Sequence, residues 1–496
     1  MITEWIDAAA ASRGEASYLE DAAGPGVLTF AGLRRVTAGW ACCLDRAGVA
    51  PGAAVAVRLA DPLGYATALV GIIGAGRVVV PLDPAAPASE LARLLAVARP
   101  QAMVCHPHVG PAAEDVPAGL TVLDPAGALA AASAGDTPPA AAPSGSGGIF
   151  LCTSGTTGTP KGILLRDDQI GHVAATVARH HRLSPADRGY CCLPLFHINA
   201  EVVGLLASLA ARACLVLDGK FSRRGFWPLI EERRITWINA VPAIITVLAM
   251  DPGGAEPPGG RVRFIRSASA PLAPSALQRF EQAFGIPVVE TYGMTEAASM
   301  ITANPLDGPR KPGSVGRPAG AEVRVVPVCG ADEVGRVQIR GQGVITQYAA
   351  GGPAGAIDPD GWLDTGDLGR FDSDGYLFLA GRTDDVINRG GEKIYPREIE
   401  DFLLAQDGVA SAAVVAARDD VLGERPVAYV VPAGSWSPDK LEYALREACQ
   451  AALPRARRPT AFLVVEQMPL GPTGKISRRR LRDLAARAPA QRGTGR

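Results

Sequence analysis

Short apolar runs alternate with helical patterns along the first hundred residues. Residues 53–59, 77–82 and 101–105 are mostly apolar stretches bounded by glycine, proline or aspartate and read as strands. Between them, 62–73 and 89–98 carry apolar residues at helical spacing. Strands separated by helices imply βαβ units and a parallel sheet. The pattern lapses at 125–148, which is almost entirely Ala, Pro, Gly and Ser and reads as a mobile connector. It resumes in two apolar runs, 148–152 and 163–165, on either side of a glycine-rich loop. Asp167 or Asp168 then caps a helix to about Arg179, followed by a strand at 190–194, an apolar helix at 202–211, and strands at 235–241, 262–265 and 288–291.

The character changes from residue 313. Strands at 322–328, 335–340 and 376–379, joined by Gly/Asp turns, predict a small antiparallel subdomain. Beyond 381–385 a helix from Pro396 presents Ile399, Phe402 and Leu403 on one face. Strands at 409–417 and 426–431 precede a helix capped by Ser437-Pro438, with Leu441, Leu445 and Ala448 in register. The fold class is therefore α/β. A large N-terminal domain (1–380) combines parallel α/β subdomains with the small antiparallel one, a hinge follows (381–385), then a small α+β domain (386–484) and a disordered tail (485–496).

A length of 496 residues suits about three domains or subdomains. A net charge of −1 excludes a broad basic field for nucleic acid, so any phosphate affinity must be local. The long apolar stretches at 69–81 and 202–217 are interrupted by Gly74, Gly76 and Arg77 or by Arg212, so neither reads as a membrane span. Glu4 and Asp7 stand where an export signal carries basic residues, which predicts a cytoplasmic protein. Nine cysteines without a C-x-x-C spacing read as small buried apolar residues rather than zinc ligands or disulfides.

The stretch Thr153-Ser154-Gly155-Thr156-Thr157-Gly158-Thr159-Pro160-Lys161-Gly162 carries candidate chemistry. Glycines let main-chain N–H groups converge on an anion, hydroxyls add donors, and lysine adds a compact positive charge. Pro160 stands between Gly158 and Lys161, which excludes a Walker A loop. Read alone, the stretch suits a flexible surface turn equally well. Downstream come Tyr292-Gly293-Met294-Thr295-Glu296, Trp362-Leu363-Asp364-Thr365-Gly366-Asp367, Gly381-Arg382-Thr383-Asp384-Asp385 and Pro472-Thr473-Gly474-Lys475. Each has a plainer reading too: a core tyrosine, a helix-start acid, an Asp-Gly turn, a solvated lysine.

In series, and over nearly the whole chain, the five resemble the signature motifs of the ANL superfamily of adenylate-forming enzymes: acyl-CoA synthetases, peptide-synthetase adenylation domains and luciferases. The resemblance implies that Thr153, Ser154, Gly155, Thr156, Thr157, Gly158 and Lys161 hold the phosphates of ATP, with Tyr292 and Gly293 at adenine. It implies Thr295 at the α-phosphate, Glu296 on Mg²⁺, Asp367 on the ribose hydroxyls and Arg382 on ribose and phosphate. Asp384 matches the hinge position, and Lys475 the lysine that bridges carboxylate and α-phosphate. His197, at a strand-to-helix junction, is similar to the histidine that walls the acyl pocket in many acyl-CoA synthetases; a satisfied structural histidine is its plainer reading. Ser269 and Ala270 resemble the small residues lining the pocket, and equally suit close packing. Gly390 and Gly391 stand where a thiol tunnel forms. Glu201 reads as a solvated helix-start acid, and the arginines at 478–482 as a solvated terminus or a site for CoA phosphates.

The expected function is ATP-dependent activation of a small carboxylic acid as acyl-AMP, then transfer to CoA, by an AMP-forming acyl-CoA synthetase. Around 193–199, 264–272 and 295–318 the chain looks most like the branch with oxalyl-CoA synthetases and fatty-acid–CoA ligase-like proteins. Ser299 replaces a histidine of that branch, which argues against a dicarboxylate. The alternatives are a stand-alone adenylating enzyme of secondary metabolism, loading an acyl carrier protein or activating nitrite to diazotise an arylamine, and a nucleotide-binding protein without catalysis. Neither nucleic acid nor membrane is an expected partner, and the expected state is monomer or homodimer.

Overall fold

The computed structural model describes residues 1–106, 120–133, 146–154, 160–250, 260–328, 333–434, 436–470 and 476–487. Two sheets dominate the first half. The six-stranded one runs, in spatial order, Thr121–Leu123, Ala102–Val104, Ala54–Val57, Val78–Pro81, Gly148–Ser154 and Pro160–Arg166. Its first five strands are parallel, linked by crossovers that include the helices Pro62–Gly74 and Ala88–Ala98. The last pair is an antiparallel hairpin in register from Gly148↔Arg166 to Ser154↔Pro160. That register sets the described ends of the phosphate-loop candidate, Thr153 with Lys161 and Ser154 with Pro160, side by side.

The nine-stranded sheet carries the cleft. Val288–Tyr292, Phe264–Ser267, Trp237–Ala240, Arg188–Cys191, Cys214–Leu217 and Ser17–Asp21 lie side by side and parallel, with antiparallel strands at both edges. Strands of this sheet are buried on both faces, as helices on either side of a parallel sheet require. One apolar core joins both sheets through Trp40, Ile72, Val203, Trp237 and Phe264.

Four antiparallel strands follow: Glu322–Pro327, Gly335–Arg340, Leu363–Phe371 and Leu377–Arg382. The last part of the chain forms a five-stranded sheet from Ile387–Arg389, Glu392–Ile394, Val409–Asp419, Gly423–Pro432 and Ala461–Val464. Ile399, Leu403, Leu441, Leu445 and Cys449 cover one face of it, and Leu481 and Ala485 the other. Cys449, not Ala448, takes the third buried position of helix Pro438–Ala452, because its spacing keeps the apolar stripe over the sheet.

Several expectations are corrected. The connector contains a helix, Pro125–Ser133, which its alanines favour despite the low complexity. Asp167 starts helix Asp167–His180 but caps nothing: its carboxylate accepts from the Met1 amino group (2.7 Å) and Ile2 N–H (3.0 Å). Gln169 Oε1 instead reaches back to the Arg166 N–H at 3.0 Å. Ser437 likewise makes no side-chain cap; Pro438 alone starts its helix. The helix expected from residue 202 begins as a π-helix at Asn199–Leu206 and continues as Ala207–Ala211. Arg478–Arg487 is a helix, so three residues assigned by composition to a disordered tail are helical. Among the described residues, eight cysteines form no disulfide, no helix is long and apolar enough to cross a membrane, and no cluster of three or more His, Cys, Asp or Glu suits a metal.

Candidate active site

Ligands of open α/β sheets bind beyond the carboxyl ends of the strands. There the nine-stranded sheet collects the loop 192–198 after Arg188–Cys191, Ser269 and Ala270 after Phe264–Ser267, and Tyr292 with its following turn.

Tyr292 closes its strand half-buried, and its hydroxyl donates to Asp367 Oδ2 at 2.5 Å. Burial and the Asp367 charge push this phenol far up, so it stays a donor. Asp367 faces Arg382 across the antiparallel pair, and Arg382 Nη1 donates to Asp367 Oδ1 at 3.2 Å. Three residues that stood far apart in sequence thus form one chain, Tyr292–Asp367–Arg382. Each carboxylate oxygen of Asp367 is oriented by a donor.

Gly293 shows why this turn demands glycine. A Cβ there would lie 1.2 Å from the Ser299 carbonyl oxygen. The chain reverses through Ala298 (φ +49°) and Ser299 (φ +102°) to run back beside Val288–Tyr292. Gly293→Ala sets backbone against backbone, which no rotamer relieves. It is expected to destabilise the large domain by about 3 kcal/mol, measured by denaturant unfolding; a loss within experimental error would refute the clash.

Thr295 opens the 3₁₀ turn Thr295–Ala297, and Glu296 in it is buried at 7% exposure. Glu296 Oε1 accepts from the Tyr348 hydroxyl at 3.1 Å, and Lys161 Nζ lies 5.7 Å from the centre of the Tyr348 ring. Ala349 and Ala350 N–H groups donate to the Gly162 carbonyl, and Gly162 N–H donates to Ala350. Tyr348 therefore ties the hairpin to Glu296. Sequence reasoning missed it; the one aromatic in a stretch poor in polar side chains was the available signal. Thr153 and Ser154 end the first hairpin strand. Gly155, Thr156, Thr157 and Gly158 lie outside the described residues, as does Lys475. On either side of Lys475, Leu470 and Ile476 form an antiparallel bridge, and Ser477 N–H donates to Pro469 O at 2.7 Å.

His197 is half-buried, its ring 4.7 Å from that of Phe196, and its carbonyl accepts from Ala200 and Glu201 N–H groups. Glu201 corrects its sequence reading. It is fully buried, both carboxylate oxygens lack a partner among the described residues, and burial raises its pKa well above the usual range. It is a buried core acid, not a solvated one.

The small domain carries candidate loops of its own. Gly390 (φ +60°) and Gly391 (φ +90°) form the two-residue turn between Ile387–Arg389 and Glu392–Ile394, a left-handed pair that glycine alone adopts without strain. Beside it lies a cleft of about 240 Å³ lined by Arg389, Arg446, Arg455 and Arg458. Asp384 lies in the exposed turn Thr383–Asp385, and its carbonyl accepts from Arg482 at 3.1 Å. Asp385 pairs with both Arg478 and Arg482, each at 3.4 Å. Of the arginine run, read as a solvated terminus or a CoA contact, Arg479 and Arg480 are exposed, while Arg478 and Arg482 grip the hinge candidate. Behind it, Glu290 of the large domain is buried near Arg397, and burial pushes its carboxyl up to about 7.

Comparison with known proteins agrees with this arrangement. The AMP-binding enzyme family matches residues 6–349, and the AMP-binding enzyme C-terminal domain matches 398–475. A sulfoacetate–CoA ligase of Cupriavidus necator is 39% identical over 455 residues, 88% of each chain. An oxalate–CoA ligase of Arabidopsis thaliana is 34% identical over 458 residues, 87% of this chain and 88% of its own. The crystal structure of ATP-bound MatB from Rhodopseudomonas palustris superposes with a TM-score of 0.86 at 29% identity, covering 98% of this chain and 99% of its own. The chain belongs to the AMP-binding enzyme family, within the adenylate-forming ANL superfamily. It is an enzyme, an AMP-forming ligase of the acyl-CoA synthetase type.

Proposed function

We propose that this ligase activates a small carboxylic acid as its acyl-AMP, releasing pyrophosphate, and passes the acyl group to the thiol of CoA. The observation that carries the reading is the chain Tyr292–Asp367–Arg382 beside the chain Lys161–Tyr348–Glu296, both at the carboxyl edge of the parallel sheet. Sulfoacetate and oxalate, the acids in the names of two relatives, are both short.

A carboxylate is a weak electrophile, because its charge repels nucleophiles and oxide leaves poorly. Joining it to AMP removes both obstacles, but brings two anions together. Cations and donors must therefore stand where negative charge accumulates. Asp367, oriented by Tyr292 and Arg382, grips the ribose hydroxyls; Thr295 donates to the α-phosphate. Lys161 and the hairpin loop hold the departing pyrophosphate, and Lys475 bridges the reacting oxygens. His197, Ser269 and Ala270 wall the acid pocket. Glu296 fits Mg²⁺: it offers carboxylate oxygen, and the single hydrogen-bond donor to it among the described residues, Tyr348, leaves lone pairs over. When bound, the ion neutralises phosphate charge. Positioning and electrostatics carry the rate, with no covalent enzyme intermediate.

For the second step the small domain turns about Asp384 and presents Gly390 and Gly391 to the incoming thiol. The arginine-lined cleft beside them supports a polyanionic thiol such as CoA. Purified protein with Mg-ATP and a panel of short, dicarboxylic, aromatic and medium-chain acids, with and without CoA, is expected to yield AMP and an acyl-CoA by mass spectrometry. AMP release that requires a carrier protein or an amine in place of CoA would overturn the acceptor.

A further inference from the structure

Residues 344–352 run as a strap beside the phosphate-loop hairpin, fastened at both ends. Val344 O accepts from Gln169 Nε2 at 3.0 Å, and Ile345 N–H donates to Glu296 O at 2.9 Å. Ala349 and Ala350 N–H groups donate to Gly162 O at 2.9 and 3.3 Å, and Gly162 N–H donates to Ala350 O at 2.8 Å. One end is thus held by the turn that carries Glu296, the other by the residue after Lys161. Tyr348 stands between the two.

The chain closes tightly around this one side chain. Gly351 turns it at φ +63°, and a Cβ on Gly352 would lie 2.2 Å from Tyr348 Cδ2. At the hairpin, a Cβ on Gly162 would meet Phe150 Cζ at 2.7 Å and Ala350 Cβ at 3.2 Å. The small residues at 349–352 let main chain pack on the ring and on the hairpin at once, which leaves the ring little room to turn away.

Hydroxyl and ring serve different partners. The hydroxyl donates to Glu296 Oε1 at 3.1 Å; burial and the Glu296 charge push the phenol up, against a smaller opposing effect of Arg382, so the hydrogen stays on it. Glu296 Oε2 receives no donor among the described residues. Lys161 Nζ lies over the ring, 5.7 Å from its centre, and pairs with no acid among the described residues. A phenol face attracts an ammonium without neutralising it. A direct Lys161–Glu296 pair would cancel both charges, whereas Tyr348 between them steadies each and leaves each charged.

We propose that Tyr348 is a positioning residue for the adenylating half-reaction: its hydroxyl orients Glu296 for Mg²⁺ and its ring orients Lys161 for the departing pyrophosphate. It acts through these two residues, and the proposal rests on the reading of this cleft as the Mg-ATP site.

Tyr348→Phe removes the hydroxyl and keeps the ring; Tyr348→Leu removes both. The purified full chain is titrated calorimetrically with α,β-methylene-ATP, an unreactive analogue, over a range of free Mg²⁺ and in EDTA, and acid-dependent ATP–pyrophosphate exchange is followed over the same Mg²⁺ range. Tyr348→Phe is expected to raise the half-saturating Mg²⁺ concentration by about 10- to 100-fold in both measurements, the usual result of removing a hydrogen bond to a metal-binding carboxylate. Its analogue binding in EDTA is expected to stay unchanged, and excess Mg²⁺ to restore exchange. Tyr348→Leu is expected to weaken analogue binding a further 3- to 10-fold, roughly, and excess Mg²⁺ not to recover this loss of the ring contact. Thioester formation from supplied acyl-AMP and CoA, a step without pyrophosphate, is expected to keep its rate in both variants. A merely structural role would lower both half-reactions together and leave the half-saturating Mg²⁺ concentration where it was. That result, or a Tyr348→Leu enzyme indistinguishable from Tyr348→Phe, would overturn the proposal while Mg²⁺-dependent binding by the wild-type chain kept the site reading. A wild-type chain that binds the analogue equally well in Mg²⁺ and in EDTA would overturn both.

Discussion

Lys475→Ala is expected to lower acid-dependent ATP–pyrophosphate exchange by roughly 100- to 1,000-fold, the usual consequence of removing one preorganised charge from a developing oxyanion. Thioester formation from supplied acyl-AMP and CoA is expected to fall far less, because in that step the phosphate is already joined to the acyl group and leaves as AMP. The described residues that flank this lysine's segment are held in place. Leu470 and Ile476 pair across its segment, Ser477 N–H ties back to Pro469 O, and helix Arg478–Arg487 begins at once. Equal losses in the two half-reactions would contradict the assigned role.

Arg478→Ala is expected to destabilise the small domain by about 3 kcal/mol. Arg478 contacts both oxygens of Glu400 at 2.7 and 2.8 Å, donates to Val414 O at 2.8 Å, and approaches Asp385 at 3.4 Å. Glu400 is buried and also accepts from Val414 N–H at 2.7 Å. Removing the guanidinium leaves that carboxylate without its countercharge, which costs more than the pair contributes when intact. Asp385 loses one of its two arginines as well, beside the hinge candidate. Urea unfolding of the variant checks the magnitude. A change below 1 kcal/mol, the range of an exposed ion pair, would show that Arg478 does not brace this domain.

The layout of the chain was legible because strands buried on both faces are apolar runs. Residues 335–340 were read with the bounds that strand Gly335–Arg340 has, and the alternation at 53–105 gave βαβ units directly. Departures have local causes. Alanines fold part of the connector, Glu201 is drawn into the core by the π-helix that begins at Asn199, and the terminal arginines find acids at the hinge. Within the site, Tyr292, Asp367 and Arg382 could be named from motifs, and the structure brings them together. Tyr348 could not, since it matters through a neighbour that only the fold supplies, the phosphate hairpin.

The ordering of the two half-reactions is the centre of this account, and pyrophosphate exchange without CoA tests it most directly. With Mg-ATP, labelled pyrophosphate and a turned-over acid, the wild-type enzyme is predicted to return label to ATP in the absence of any thiol, and to stop when the acid is withheld. Exchange that requires CoA, or no exchange from an enzyme that nevertheless makes acyl-CoA, would mean that no free-standing acyl-adenylate forms in this cleft.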